Sequence, residues 1–167
     1  MIINTDVGFE LYYGRHYDEA VNQLTTTLEM QSDFPLAHLW LGRTLQEEAK
    51  YDEALAEFSK VQTAFKDWPV AIAAIGFVDG ISGKRKEALS ALDELERLSQ
   101  KQYVTSYGVA LVYAGLGDRD SAFKWLDKAY DERTHWLVWL KLDPRWDTLR
   151  ADPRFAELVR RVGLVRK

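Results

Sequence analysis

At 167 residues, with 47% hydrophobic and 29% charged side chains, the chain is long enough to bury a sizeable core and too apolar to be disordered. A net charge of −4 argues against a nucleic-acid module; seven basic and three acidic residues from Arg145 to Lys167 leave −8 on the first 144, which reads as a solvated basic face on a terminal helix. The absence of cysteine excludes a disulfide framework, a thiol nucleophile and thiolate metal sites; with no basic region ahead of an apolar run at the N-terminus and no stretch of about 18 apolar residues, the expected setting is cytoplasmic, with no membrane partner.

Small residues mark a period. Gly8, Gly42, Gly76 and Ala110 lie 34 positions apart, and Ala20, Ala54, Ala88 and Ala122 follow each of them by 12. A fixed period of this length signals stacked helix pairs. In the first block, 1–34, core spacing begins at Asn4 and Val7, which leaves no room for a preceding cap and predicts an apolar N-terminal edge; Tyr17-Asp18-Glu19-Ala20 opens the second helix. In block 35–68, His38, Leu41, Gly42 and Leu45 share one helical face, and Ala54, Phe58 and Val61 answer it. Gly42 is expected to meet Ala54 at the closest contact, with Asp52 as the cap of the second helix and Glu53 at its positive end. In block 69–102, Gly80-Ile81-Ser82-Gly83-Lys84 is not a phosphate loop, because Val78 stands where the leading glycine belongs and Arg85 where Ser or Thr belongs. It reads as a helix end softened by glycine. Block 103–136 completes the array. In the remainder, 137–167, Asp143-Pro144 and Asp152-Pro153 each place a capping carboxylate before a proline and predict two short helices. Trp136, Trp139 and Trp146, three of the six tryptophans, are expected to seal the open end of the fourth block.

The motif residues Leu41-Gly42, Tyr51, Ala54 and Phe58 resemble the tetratricopeptide repeat, Trp-x2-Leu-Gly-x2-Tyr followed by Ala-x3-Phe. Val7-Gly8, Leu11, Tyr17, Ala20 and Leu24 echo it, as do Val109-Ala110, Tyr113, Gly117, Ala122, Leu126 and Ala129. The third block is the poorest copy, with Asp79 and Arg85 at the aromatic positions. Asn4, His38, Ile72 and Ser106 replace the usual tryptophan, and Pro35 and Pro69 come three positions late. The resemblance implies an all-α, right-handed superhelical solenoid of antiparallel helix pairs: four repeats over 1–136 and a helical C-terminal cap over 137–167. The tail is similar to that which closes such arrays in bacterial regulators, behind winged-helix or protein-kinase domains. Neither domain has a counterpart in this chain.

The same resemblance implies a non-catalytic scaffold that holds a protein or peptide partner in its concave groove, lined by the first helix of each pair. Carried over residue by residue, that face includes Phe9, Tyr12 and Tyr13, then Leu39, Arg43 and Gln46, then Phe77, then Tyr107 and Leu111. Arg43 stands nearly alone as a cation there, so a carboxylate clamp is rejected in favour of an apolar peptide or helix. The alternative is homo-oligomerisation through the apolar N-terminal edge or the groove. No cofactor is implied. His16, His38 and His135 lack metal-ligand spacing, and His38 falls at a core position; no Ser/His/Asp order stands out, and the carboxylates lie on solvated faces.

Overall fold

The computed structural model describes residues 2–164, and every regular element among them is helical. The chain divides into two compact units, residues 1–71 and 72–167. In the first, α1 (Ile2–Tyr13) packs on α2 (Tyr17–Met30), α2 on α3 (Pro35–Glu47), and α3 on α4 (Tyr51–Ala64). Pro35 begins α3, where its missing N–H removes no helical bond, which accounts for its late place in the repeat.

Gly42 packs under the ring of Phe58 rather than against Ala54. A Cβ at Gly42 would lie 2.5 Å from Phe58 Cε1, and one at Gly8 would lie 2.6 Å from Leu24. The glycine makes room for a large, fully buried side chain on the facing helix, while Ala54 is fully enclosed on its own account. Ala54→Leu is therefore expected to cost about 1–3 kcal/mol by overpacking, read as a fall in the urea midpoint. Asp52 does not cap α4. Lys50 occupies the cap without a side-chain bond, and Asp52 and Glu53 lie within the first turn, where negative charge faces the helix's positive end. Val7 is exposed, so the inward face of α1 is carried by Thr5, Gly8 and Tyr12, leaving Ile2, Ile3 and Val7 as an apolar outer edge.

The second unit contains α5 (Pro69–Ile81) from its second turn onward, α6 (Arg85–Ser99), α7 (Ser106–Gly115), α8 (Arg119–Asp131) and α9 (Pro153–Val162), with 3-10 turns at His135–Trp139 and Pro144–Leu149. Ile72, Ala88, Leu95, Val109 and Val112 share its core. The helices α5 and α7 cross backbone to backbone. A Cβ at Gly80 would lie 2.6 Å from the carbonyl carbon of Gly115, and a Cβ at Gly115 would lie 2.6 Å from Phe77 O.

The tail begins as its dipeptides suggest. Asp143 accepts from Arg145 N at 3.1 Å and Asp152 from Arg154 N at 3.0 Å, with Pro144 and Pro153 next in line. Its basic residues are not merely solvated. Arg161 bonds Asp127 at 2.6 Å and lies over Tyr130, and Arg154 bonds Asp120 at 2.8 Å and lies over Phe123, which ties α9 to α8. Hydrogen bonds from the Arg154 side chain, then from its backbone N–H, hold the Asp152 carboxyl down to about 2.

All four turns within helix pairs have one geometry. Arg15, Ala49, Gly83 and Gly117 have φ of 63°, 58°, 83° and 74°. The N–H of each next residue reaches back to Leu11, Leu45, Asp79 and Tyr113 O at 2.9, 2.9, 2.8 and 3.0 Å. This is the left-handed helix terminus that glycine suits; the first two repeats hold it with Arg15 and Ala49.

Candidate protein-binding surfaces

In the first unit, Phe9, Tyr12 and Tyr13 come together on α1 and meet a residue that the repeat positions did not single out, Trp40. Phe9 lies 4.7 Å from Trp40 and 4.9 Å from Tyr13, both edge to face. Tyr12 lies 5.5 Å from Trp40, and the Arg43 guanidinium sits 4.5 Å over the indole. Edge contacts and a cation on a ring face both suit the aromatic quadrupole. The spacing of Trp40 and Arg43, i and i+3 on one helix, was the available signal for that pair. Leu39, Arg43 and Gln46 are buried along with Tyr12 and Tyr13, and Gln46 Nε2 donates to Glu47 Oε1 at 2.7 Å. Phe9 is half-buried, while Ile2 and Leu36 of the same register are exposed.

His38 is a packed histidine. Its Nδ1 meets Glu57 Oε2 at 2.5 Å and its Nε2 meets Ser32 O at 2.9 Å, joining α3 to α4 and to the preceding loop. Lys60 Nζ holds the other oxygen of Glu57 at 2.8 Å.

In the second unit the expected groove positions are closed. Phe77 packs at the α5–α7 crossing, and Leu111 is buried. Tyr107, expected on an open face, is covered by the chain's own tail. Its hydroxyl donates to Asp143 Oδ2 at 2.7 Å and accepts from Trp146 Nε1 at 2.6 Å, and the two rings meet edge to face at 5.2 Å. Arg145 clasps the same carboxylate through Nε at 2.9 Å and Nη2 at 2.7 Å. Trp146 is wholly enclosed there, so it fills the face of α7. The indole N–H needs a buried acceptor, and Tyr107, on the first helix of the fourth block, supplies one.

The sequence model of the tetratricopeptide repeat family matches residues 10–71. That segment carries tetratricopeptide repeats. No curated protein matches its sequence. Among solved structures, a TPR protein from Parabacteroides merdae aligns over 99% of this chain and 65% of its own at 12% identity, with a TM-score of 0.56. A thermophilic TPR protein of Thermus thermophilus aligns over 96% and 81% at 24% identity, with a TM-score of 0.61. Cut9 in the APC/C Cut9–Hcn1 hetero-tetramer aligns over 98% of this chain and 33% of that one at 16% identity, with a TM-score of 0.65. The chain thus spans a third of the Cut9 structure and just under two thirds of the Parabacteroides one. At these identities the likeness fixes the fold: an array of TPR helix pairs. Among the described residues, no group of three or more side chains could hold a metal ion, and no helix is long and apolar enough to cross a membrane.

Proposed function

We propose that this TPR chain is a non-catalytic protein-interaction scaffold that takes an apolar peptide or helix on the concave register of its first two repeats. The observation that carries the reading is the aromatic bed of Tyr12, Tyr13, Trp40 and Arg43 against which the half-exposed Phe9 packs, with Ile2 and Leu36 exposed on the same two helices. Partly exposed aromatics on a rigid support are the usual anchors of such contacts. The Cut9 neighbour assembles with Hcn1, and only the general task of holding another polypeptide is carried from it to this chain. A role as the interaction arm of a larger bacterial regulator, in a cytoplasmic setting, rests on the resemblance of the tail. The four repeats over 1–136 and a C-terminal cap over 137–167 belong to the same reading. Within it, Leu39 and Gln46 support the surface of the first two repeats, and Phe77, Tyr107 and Leu111 support the packed second unit.

The double variant Phe9→Glu, Leu36→Glu is expected to keep its helical circular dichroism and lose the partners captured from lysate, as identified by mass spectrometry. Retention of every partner would overturn the reading. The exposure of Ile2, Ile3 and Val7 favours a second one, self-association through the N-terminal edge. Sedimentation velocity of Ile3→Glu against the parent tests it: a concentration-dependent oligomer that the substitution abolishes is required.

A further inference from the structure

The second helices of the third and fourth repeats flank a groove that the concave-face reading does not use. It encloses about 520 Å³ and lies entirely within the second unit. Its floor is apolar: Leu92 from α6, Val104 from the link before α7, Val109 and Tyr113 from α7, and Trp125 from α8. Asp93 and Glu96 stand on the α6 side, Lys124 and Lys128 on the α8 side. The two walls do not bond each other. Among the described residues Asp93, Glu96 and Lys124 form no ion pair, and Lys128 reaches only Glu132, at 3.8 Å, while lying 4.4 Å from the Trp125 ring. Gln100 and Val104, from the six-residue link between α6 and α7, also line it.

We propose that this groove binds an amphipathic helix of a partner, with a central apolar stripe, basic residues along one flank and acidic residues along the other. The wall charges recur at i, i+3 on α6 and i, i+4 on α8, which places them in rows matched by the flanks of a third helix laid between them. An extended strand does not fit: it points alternate side chains down and up, and its polar residues would miss both walls. The charge pattern also sets direction. Turning the bound helix end for end exchanges its flanks, so only one orientation pairs basic residues with Asp93 and Glu96 and acidic residues with Lys124 and Lys128.

The test uses three fluorescein-labelled, alanine-based helical peptides of about 15 residues. All carry the same leucine stripe; one has a lysine flank and a glutamate flank, one lysine on both, and one glutamate on both. Fluorescence anisotropy with the whole protein at physiological salt is expected to favour the mixed peptide over either other by about tenfold, the sum of several exposed charge contacts. Lys124→Glu with Lys128→Glu should pass the preference to the all-lysine peptide. These lysines are exposed, so the fold should be unaffected. Trp125→Ala should weaken all three peptides with circular dichroism unchanged. Equal affinity for the three, or a preference that survives the lysine substitutions, would overturn the proposal. So would loss of binding in the Phe9→Glu, Leu36→Glu variant instead of Trp125→Ala, or self-association that Trp125→Ala abolishes, which would assign the groove to a second copy.

Discussion

Asp143→Ala is expected to destabilise the second unit by about 3–5 kcal/mol, as for any variant that breaks a buried ion pair by removing one partner. Asp143 is wholly enclosed and accepts from the Arg145 backbone, the Arg145 guanidinium and the Tyr107 hydroxyl at once. Its removal takes two charge-assisted bonds from the side chain of Arg145, a residue only 4% exposed, and the acceptor of the Tyr107 hydroxyl, which must still receive the Trp146 indole. The sign is separable from simple loss of packing. Replacing both members of the pair, Asp143→Leu with Arg145→Met, removes the uncompensated charge and should recover much of the loss. Urea midpoints followed by tryptophan fluorescence would read all three chains. An Asp143→Ala midpoint equal to the parent's would mean that the tail does not seat on α7.

Phe77→Glu should be comparably severe. A phenylalanine enclosed at this depth costs about 3–5 kcal/mol when truncated, and the introduced carboxylate would be buried at the crossing of α5 and α7. Gly115→Ala probes the same crossing from the other helix, since its Cβ would lie 2.6 Å from Phe77 O and 3.2 Å from the ring. It is expected to cost about 1–3 kcal/mol. Should Phe77→Glu melt with the parent in thermal circular dichroism, Phe77 faces solvent and the crossing is misplaced.

The contrast between those residues and Phe9 marks how far the sequence could be read. The 34-residue period, the buried faces of α3 and α4, and the capping of the tail by Asp143 and Asp152 are local or periodic features, and they were legible. Which small residue lies under which large one was not. Gly42 meets Phe58 rather than Ala54 because the facing register depends on how two helices cross, and the repeat spacing leaves that free. Tyr107 was placed on the groove by its repeat position, but its fate is decided by residues 36 and 39 positions further on. No periodicity connects those. Trp40 was overlooked because it falls outside the repeat positions that line the groove, although its i, i+3 relation to Arg43 was plain in the sequence.

The left-handed turn residues also determine where this chain can accommodate inserted sequence. Residues 14–16, 48–50, 82–84 and 116–118 each join a helix pair in three residues, with one fixed backbone bond closing the turn. An added residue there would move the positive φ off its site and rotate the second helix by about 100°, turning its apolar face away from its partner. The connections between pairs are looser: 31–34 and 65–68 have four residues, whereas 100–105 has six. Loop grafts, protease sites or fluorescent tags belong in those segments, and 100–105 is the longest of them.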